Sequence, residues 1–390
     1  MGTTTPFQEL QHAAQVRVLA GERVWLEDAA LEQLRITARL PHIRAAVGLP
    51  DLHPGRGYPV GAAFFSVNHF YPALVGGDIG CGMGLWRTDL RAHAASASKL
   101  EKQLGNIDGP LPDALMADAQ RQLDGIAVAQ LPASREMLAA SIGTIGGGNH
   151  FAELQVVDEV YDADADIDRK RVHLLVHSGS RGLGGAILRE HVERFGHAGL
   201  TAGSGDARVY LAQHDAALDF ACLNRIWIAR RILQAIRAEA DLLLDVSHNH
   251  VQEAEFGGEC GFLHRKGATP SDQGVVMIPG SRGDFSYLVR PVAGRDEALF
   301  SLAHGAGRKW SRSDCMGRLA HKYRSDELRR TRFGSTVVCN DKELLYEEAP
   351  QAYKDVDSVV AALVDAGLVT LLARLRPILT YKKGGLAACC

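Results

Sequence analysis

The sequence predicts an α+β protein: mixed sheets, helices and long site-forming loops. Three observations predict it. Short apolar runs of strand length, Leu174–Val176 and Leu242–Val246, end at or beside a histidine, His177 and His248. Between them, residues 216–240 repeat apolar side chains at helical spacing, with Leu218, Cys222, Ile226, Ala229, Leu233 and Ile236 on one side. Residue types that hold metals recur inside glycine-rich turns from Asp78 to His304, so distant stretches must fold back around one site.

In chain order, a first helix is expected over about Leu26–Leu40, where Leu and Ile fall at helical spacing and Pro41 supplies a stop. The strands before His177 and His248 follow, placing both histidines at strand ends. The 216–240 helix between them reads as structural, with Cys222 as core filling. A helix from Val356 to Ala366 precedes an apolar strand, Leu368–Thr380, which carries Tyr381, Lys382, Lys383 and Gly384 at its end. No linker, internal repeat or charge block marks a boundary, so residues 1–390 are expected to form one domain.

With 46% hydrophobic and 23% charged residues over 390 positions, the chain has the composition of a globular protein with a substantial core. A net charge of -3 gives no global attraction to a polyanion, so nucleic acid could be held only by a local cluster of Arg and Lys. The first residues lack a basic segment followed by an apolar run, and no stretch of about eighteen apolar residues occurs. A cytoplasmic protein without membrane contact is expected. The seven cysteines show no Cys-x-x-Cys pairing, which argues against a disulfide scaffold. Cys81 is flanked by glycines with an aspartate three residues upstream, and reads as a liganding thiolate; Cys389 and Cys390 have too few neighbours to interpret.

Asp78 and Cys81 share one glycine-rich turn, and a thiolate there can bridge two ions. His150, His177 and His248 would complete a mixed oxygen, nitrogen and sulfur set suited to Mn, Fe, Co or Zn. Any one of these histidines alone reads as a hydrogen-bonded core residue; together they argue for a metal centre. His304 differs, because Gly305-Ala306-Gly307-Arg308 follows at once and Arg312 lies one helical turn further on. Backbone amides and two guanidiniums beside an imidazole suit nucleophilic attack on phosphorus. A fourth metal ligand at His304, and a surface salt-bridge role for the two arginines, stay open on these residues alone. Arg181 and Lys266 stand beside glycines in positions suited to oxyanions, and Pro279-Gly280-Ser281-Arg282-Gly283 is a tight turn whose amides could face a phosphate.

Five motifs carry a resemblance: Pro50-Asp51-Leu52-His53-Pro54-Gly55, Gly77-Asp78-Ile79-Gly80-Cys81-Gly82-Met83, Gly148-Asn149-His150-Phe151-Ala152-Glu153, His177-Ser178-Gly179-Ser180-Arg181-Gly182 and His304-Gly305-Ala306-Gly307-Arg308. From about Leu40 to Gly384 the chain resembles the RtcB family of RNA ligases, which join an RNA 3′-phosphate or 2′,3′-cyclic phosphate to a 5′-hydroxyl using GTP and Mn²⁺. The resemblance implies a single-domain RtcB-like fold and two Mn²⁺ ions, one on Cys81, His177 and His248, the other on Asp78, Cys81 and His150. It implies that His304 is the residue guanylylated. It places Asn149, Glu153, Ser281, Ser286, Gly305, Ala306, Gly307, Tyr353 and Lys383 around GTP or GMP. Arg181, Lys266, Arg308 and Arg312 are implied to contact phosphates of the nucleotide or RNA.

Gly77, Arg282, Asp284 and Phe285 depart from the family pattern near the nucleotide and metal motifs, and six residues follow Gly384. These departures resemble a short bacterial side branch linked with a release-factor-like protein and with RNA repair. A dinuclear-metal RNA-end phosphoesterase, releasing phosphate without GTP, is the alternative enzyme; a non-catalytic RNA-end binding protein is the alternative outside enzymes.

Overall fold

Two β-sheets lie face to face, and a helix covers the outer side of each. The computed structural model describes residues 7–10, 14–19, 21, 23–126 and 131–384, so Cys389 and Cys390 lie outside the described residues. The smaller sheet has six strands in the order Phe7–Leu10, Gln15–Leu19, Ile43–His53, Val60–Ser66, Glu259–Lys266 and Asn249–Phe256. In the larger sheet the path is Ala240–Ser247, Gly82–Arg91, Arg171–Ser178, Phe151–Val160, Val369–Lys383, Ser286–Pro291 and Val276–Pro279. Thr336–Cys339 joins it parallel to the terminal strand. The architecture is of the expected α+β kind.

Side-chain alternation explains the layering. Along Arg171–Ser178, Val172, Leu174 and Val176 pack on Ile228, Ala229 and Ile232 of a long helix. Leu175 points the other way, into a core shared with Met83 and Leu85 and with Val47, Phe65 and Leu263 of the smaller sheet. A strand covered on both faces reads as a continuous apolar run. On the far side, the Asp28–Ala38 helix buries Ala30, Leu34 and Ala38 against Ala46, Leu52 and Phe64. Full burial of one such Leu or Phe side chain contributes roughly 1.5–3 kcal/mol.

The long helix runs over Gly205–Ile236, starting well before residue 216 and ending short of 240. Ser204 caps it, its hydroxyl accepting from the Ala207 amide at 3.1 Å, and Ala240 already begins a strand. The first turns escape an apolar count because Gln213 and His214 are buried polar residues there. The terminal strand continues to Lys383, so both lysines belong to it.

Register assembles the site. Gly82 pairs with Ser178 on one side and Ser247 on the other, while Phe151 pairs with His177. Cys81, His150 and His248 each adjoin one of these paired positions. The chain leaves the larger sheet at Ser247 and enters the smaller one at Asn249, which puts His248 on the seam between them.

Candidate metal and nucleotide site

Four side chains converge where those strand ends meet. Cys81 Sγ lies 3.1 Å from His177 Nε2 and 3.3 Å from His150 Nε2, and His177 Nε2 lies 3.3 Å from His248 Nε2. His150 Nε2 is also 2.8 Å from Asp78 Oδ2. The ligand atoms of Cys81, His150 and His177 all fall within 4.8 Å of one another, and all three residues are buried. Metal–sulfur and metal–nitrogen bonds of about 2.3 and 2.1 Å set tetrahedral donors roughly 3.6 Å apart, so this set needs to open by only a few tenths of an ångström to take an ion. Burial holds His177 and His248 well below the usual imidazole range, which keeps them neutral as ligands must be. Burial alone would raise the Asp78 carboxyl, but His150, Cys81 and Arg181 bring it below its ordinary value. The Cys81 thiol is raised by burial and by Asp78; a bound cation reverses that preference.

The long helix supports this cluster with polar groups. Arg225, 1% exposed, donates to the carbonyls of Gly80 at 2.6 Å and Ser178 at 3.0 Å, and pairs with Asp245 at 2.6 Å. Asn224 donates to Thr144 O, Ser178 Oγ and Gly179 O and accepts from the Gly143 amide at 2.8 Å. A helix expected to be purely structural therefore pins the turns that carry Cys81 and His177. Cys222, expected as core filling, is half-buried and donates to Asp245 at 3.2 Å. Asn249 ties the Asp78 carbonyl to the Gly267 amide. Gly179 is required by packing, since a Cβ there would strike the Asp78 carboxylate.

His304 sits next to the cluster, its ring centroid 4.9 Å from that of His248. Its Nδ1 is 2.6 Å from Asp51 Oδ2, and its backbone amide donates to the same oxygen at 3.0 Å. Asp51 is fully buried, and Lys354 clamps the end of its strand by donating to the Pro50 and Leu52 carbonyls at 3.0 and 2.7 Å. An Asp that accepts Nδ1–H leaves the Nε2 lone pair outward and offsets positive charge developing on the ring. Asp51 lies in the Pro50–Gly55 motif, but its partner is far off in sequence, so no spacing reveals its role.

Beyond His304 lies a small cavity of about 50 Å³, lined among others by Asn149, Phe151, Ser281, His304 and Tyr353. Gly305, Ala306 and Gly307 form one wall; a Cβ on Gly307, at φ 72°, would strike the Asp51 carbonyl. Glu348 and Lys382 also line the cavity, an ion pair 3.6 Å apart and almost fully buried. Burial would raise Glu348, but Lys382, Arg308, Tyr353 and Arg312 hold its carboxyl below the ordinary range. The lining therefore offers a ring face, amides, a hydroxyl and paired charges.

The family model described as tRNA-splicing ligase RtcB matches residues 33–131 and 116–383. The chain belongs to the RtcB family. RNA-splicing ligase RtcB2 of Escherichia coli strain ATCC 25922 is 53% identical over 374 residues, covering 95% of this chain and 96% of that one. RNA-splicing ligase RtcB of Mycobacterium tuberculosis is 32% identical, with 87% of this chain and 98% of that one covered. For tRNA-splicing ligase RtcB of Thermococcus kodakarensis the identity is 30%, with 90% of each chain covered.

Several residues that the RtcB resemblance pointed to stand elsewhere. The terminal-strand lysine on the cavity wall is Lys382; Lys383, its neighbour on the opposite strand face, pairs with Asp341 at 2.8 Å. Arg308 was expected on phosphate, but it donates to Glu348 and Tyr353 at 3.1 Å each and to the Glu347 and Trp310 carbonyls. It holds the wall in place. Glu153 and Ser286 lie behind the lining, linked through Gln155, with Thr380 also bonded to Glu153; burial pushes the Glu153 carboxyl up to about 7. Arg312 reaches Glu348 at 3.6 Å and packs over Gly148. Arg181 donates to Thr144 at 3.2 Å beside the metal cluster. Lys266 faces Asp78, and burial lowers its ammonium to about 8. Among the departures, Gly77 packs on Gly185, Asp284 pairs with Arg332, and Phe285 packs at a tilt against Phe333. Arg282 lines the cavity while donating to the Leu345 carbonyl at 2.6 Å.

Proposed function

We propose that this chain is a GTP- and Mn²⁺-dependent RNA ligase that joins 3′-phosphate or 2′,3′-cyclic phosphate ends to 5′-hydroxyl ends through a guanylylated His304. The observation that carries the reading is the Asp51–His304 pair, which presents a free Nε2 at the mouth of a glycine-walled cavity and beside a Cys/His cluster. A phosphoesterase would need the cluster but not that oriented nucleophile.

In this reading Cys81, His177 and His248 hold one ion, and Asp78, Cys81 and His150 the second. Two Mn²⁺ ions would supply Lewis acidity to the phosphate oxygens. His304 Nε2 bonds to the α-phosphorus of GTP as the bond to pyrophosphate breaks, while Asp51 retains the Nδ1 proton and offsets the charge. The RNA 3′-phosphate then displaces His304 from the guanylyl group. Attack by the 5′-hydroxyl on the activated 3′-phosphate expels GMP and seals the strand. Asn149, Ser281, Gly305, Ala306, Gly307, Tyr353 and Lys382 position the nucleotide, and Arg181, Lys266 and Arg312 meet phosphates. The reading also takes residues 1–390 as one domain acting in cytoplasmic RNA repair, with a functional link to a release-factor-like protein. Among the described residues no helix is long and apolar enough to cross a membrane.

The test is ligation of a 3′-phosphate oligonucleotide to a 5′-hydroxyl one. Product that requires both GTP and Mn²⁺ supports the reading; phosphate release without GTP favours the phosphoesterase.

A further inference from the structure

A second, open cleft of about 950 Å³ adjoins the nucleophile and, Arg312 apart, has no part in the steps above. Its walls come from three separated segments, around Trp25, around His53–Arg56, and from Arg308 through Arg318. Trp25 is 51% exposed, an unusual position for the largest apolar side chain unless it meets something. Trp310 lines the same cleft half-buried, with the Arg318 guanidinium 5.2 Å from its ring centroid. Five cations, Arg56, Arg308, Lys309, Arg312 and Arg318, line it with two anions, Glu27 and Asp314, and Arg308 and Arg312 also pair with the buried Glu348, on a chain whose net charge is -3. Among the described residues Arg56 and Lys309 carry no ion pair. His53 belongs to this cleft and lies with its ring centroid 6.4 Å from that of His304, so the cleft leads to the nucleophile.

We infer that this cleft seats single-stranded RNA flanking the end to be joined, with Trp25 and Trp310 as base-stacking platforms and Arg56, Lys309 and Arg318 on the phosphates. The inference rests on the ligase reading. Indoles stack on any base, and interspersed cations follow the strand, so the cleft takes RNA with little regard to sequence. It favours unpaired RNA, because bases in a duplex are already stacked on one another and cannot reach an indole. The local excess of cations supplies the attraction that the whole-chain charge lacks.

The experiment titrates the full-length protein into fluorescein-labelled single-stranded oligoribonucleotides, one ending in a 3′-phosphate and one in a 5′-hydroxyl, and follows anisotropy. Trp25→Ala and Trp310→Ala are each expected to weaken binding roughly ten-fold. Trp310→Phe, which keeps a stacking ring, should retain most of the affinity and separates stacking from damage to the fold. A blunt duplex with the same ends should compete poorly. Unchanged affinity in both alanine variants, or equal binding of the duplex, overturns the cleft while leaving the ligase reading intact. A wild-type protein that binds neither oligonucleotide overturns both.

Discussion

Asp51 and His304 are joined by a 2.6 Å hydrogen bond that no sequence spacing announces. Asp51 has two tasks in the proposed reaction, fixing the tautomer of His304 and offsetting charge on its ring. Asp51→Asn keeps the size and loses the charge, so guanylylation should fall about a hundred-fold or more while Mn²⁺ uptake is unchanged. Equal rates in a single-turnover assay would contradict the assignment. At the cavity wall, Lys382→Ala should raise the KM for GTP and Lys383→Ala should leave it alone, because only Lys382 faces the lining. The ligand-type residues were legible one by one, since Cys81, His150, His177 and His248 each stand beside turn-forming or glycine residues. The choice between two adjacent lysines was not, because a period of two fixes opposite faces and leaves open which one is inside.

At the scale of elements, the Gly205–Ile236 helix does more than cover a sheet. Its Arg225 clamps the Gly80 and Ser178 carbonyls against Asp245, all inside the protein. Arg225→Met leaves Asp245 buried without its cation, and stability should drop by about 3–5 kcal/mol in denaturant unfolding. A loss below about 1 kcal/mol would mean that the clamp is dispensable. This role escaped the sequence because helical periodicity identifies an apolar face and treats a charged residue within it as an interruption. The strands ending at His177 and near His248 were readable from their apolar runs, but the crossing from one sheet to the other at His248 depends on pairing partners that periodicity does not specify.

For the molecule as a whole, buried neutral histidines tie stability to pH. His264 donates from Nδ1 to the Phe64 carbonyl and accepts the Tyr71 amide on Nε2, and burial lowers its pKa from 6.5 to about 4; burial does the same to His173. Because the unfolded chain takes up these protons first, the contribution is fully present above about pH 6.5 and is lost as pH falls toward 4, up to about 3 kcal/mol for each ring. Denaturant midpoints measured across that range should fall steadily; a flat profile would contradict the burial of neutral rings. Guanylylation of His304 is tested by incubating Mn²⁺-loaded protein with GTP labelled at the α-phosphate, followed by denaturing electrophoresis of wild type and His304→Ala. An acid-labile, alkali-stable label is expected on the wild type and not on the variant. A metal-replete wild type that takes no label, or a His304→Ala protein that takes it equally, would contradict guanylylation at His304.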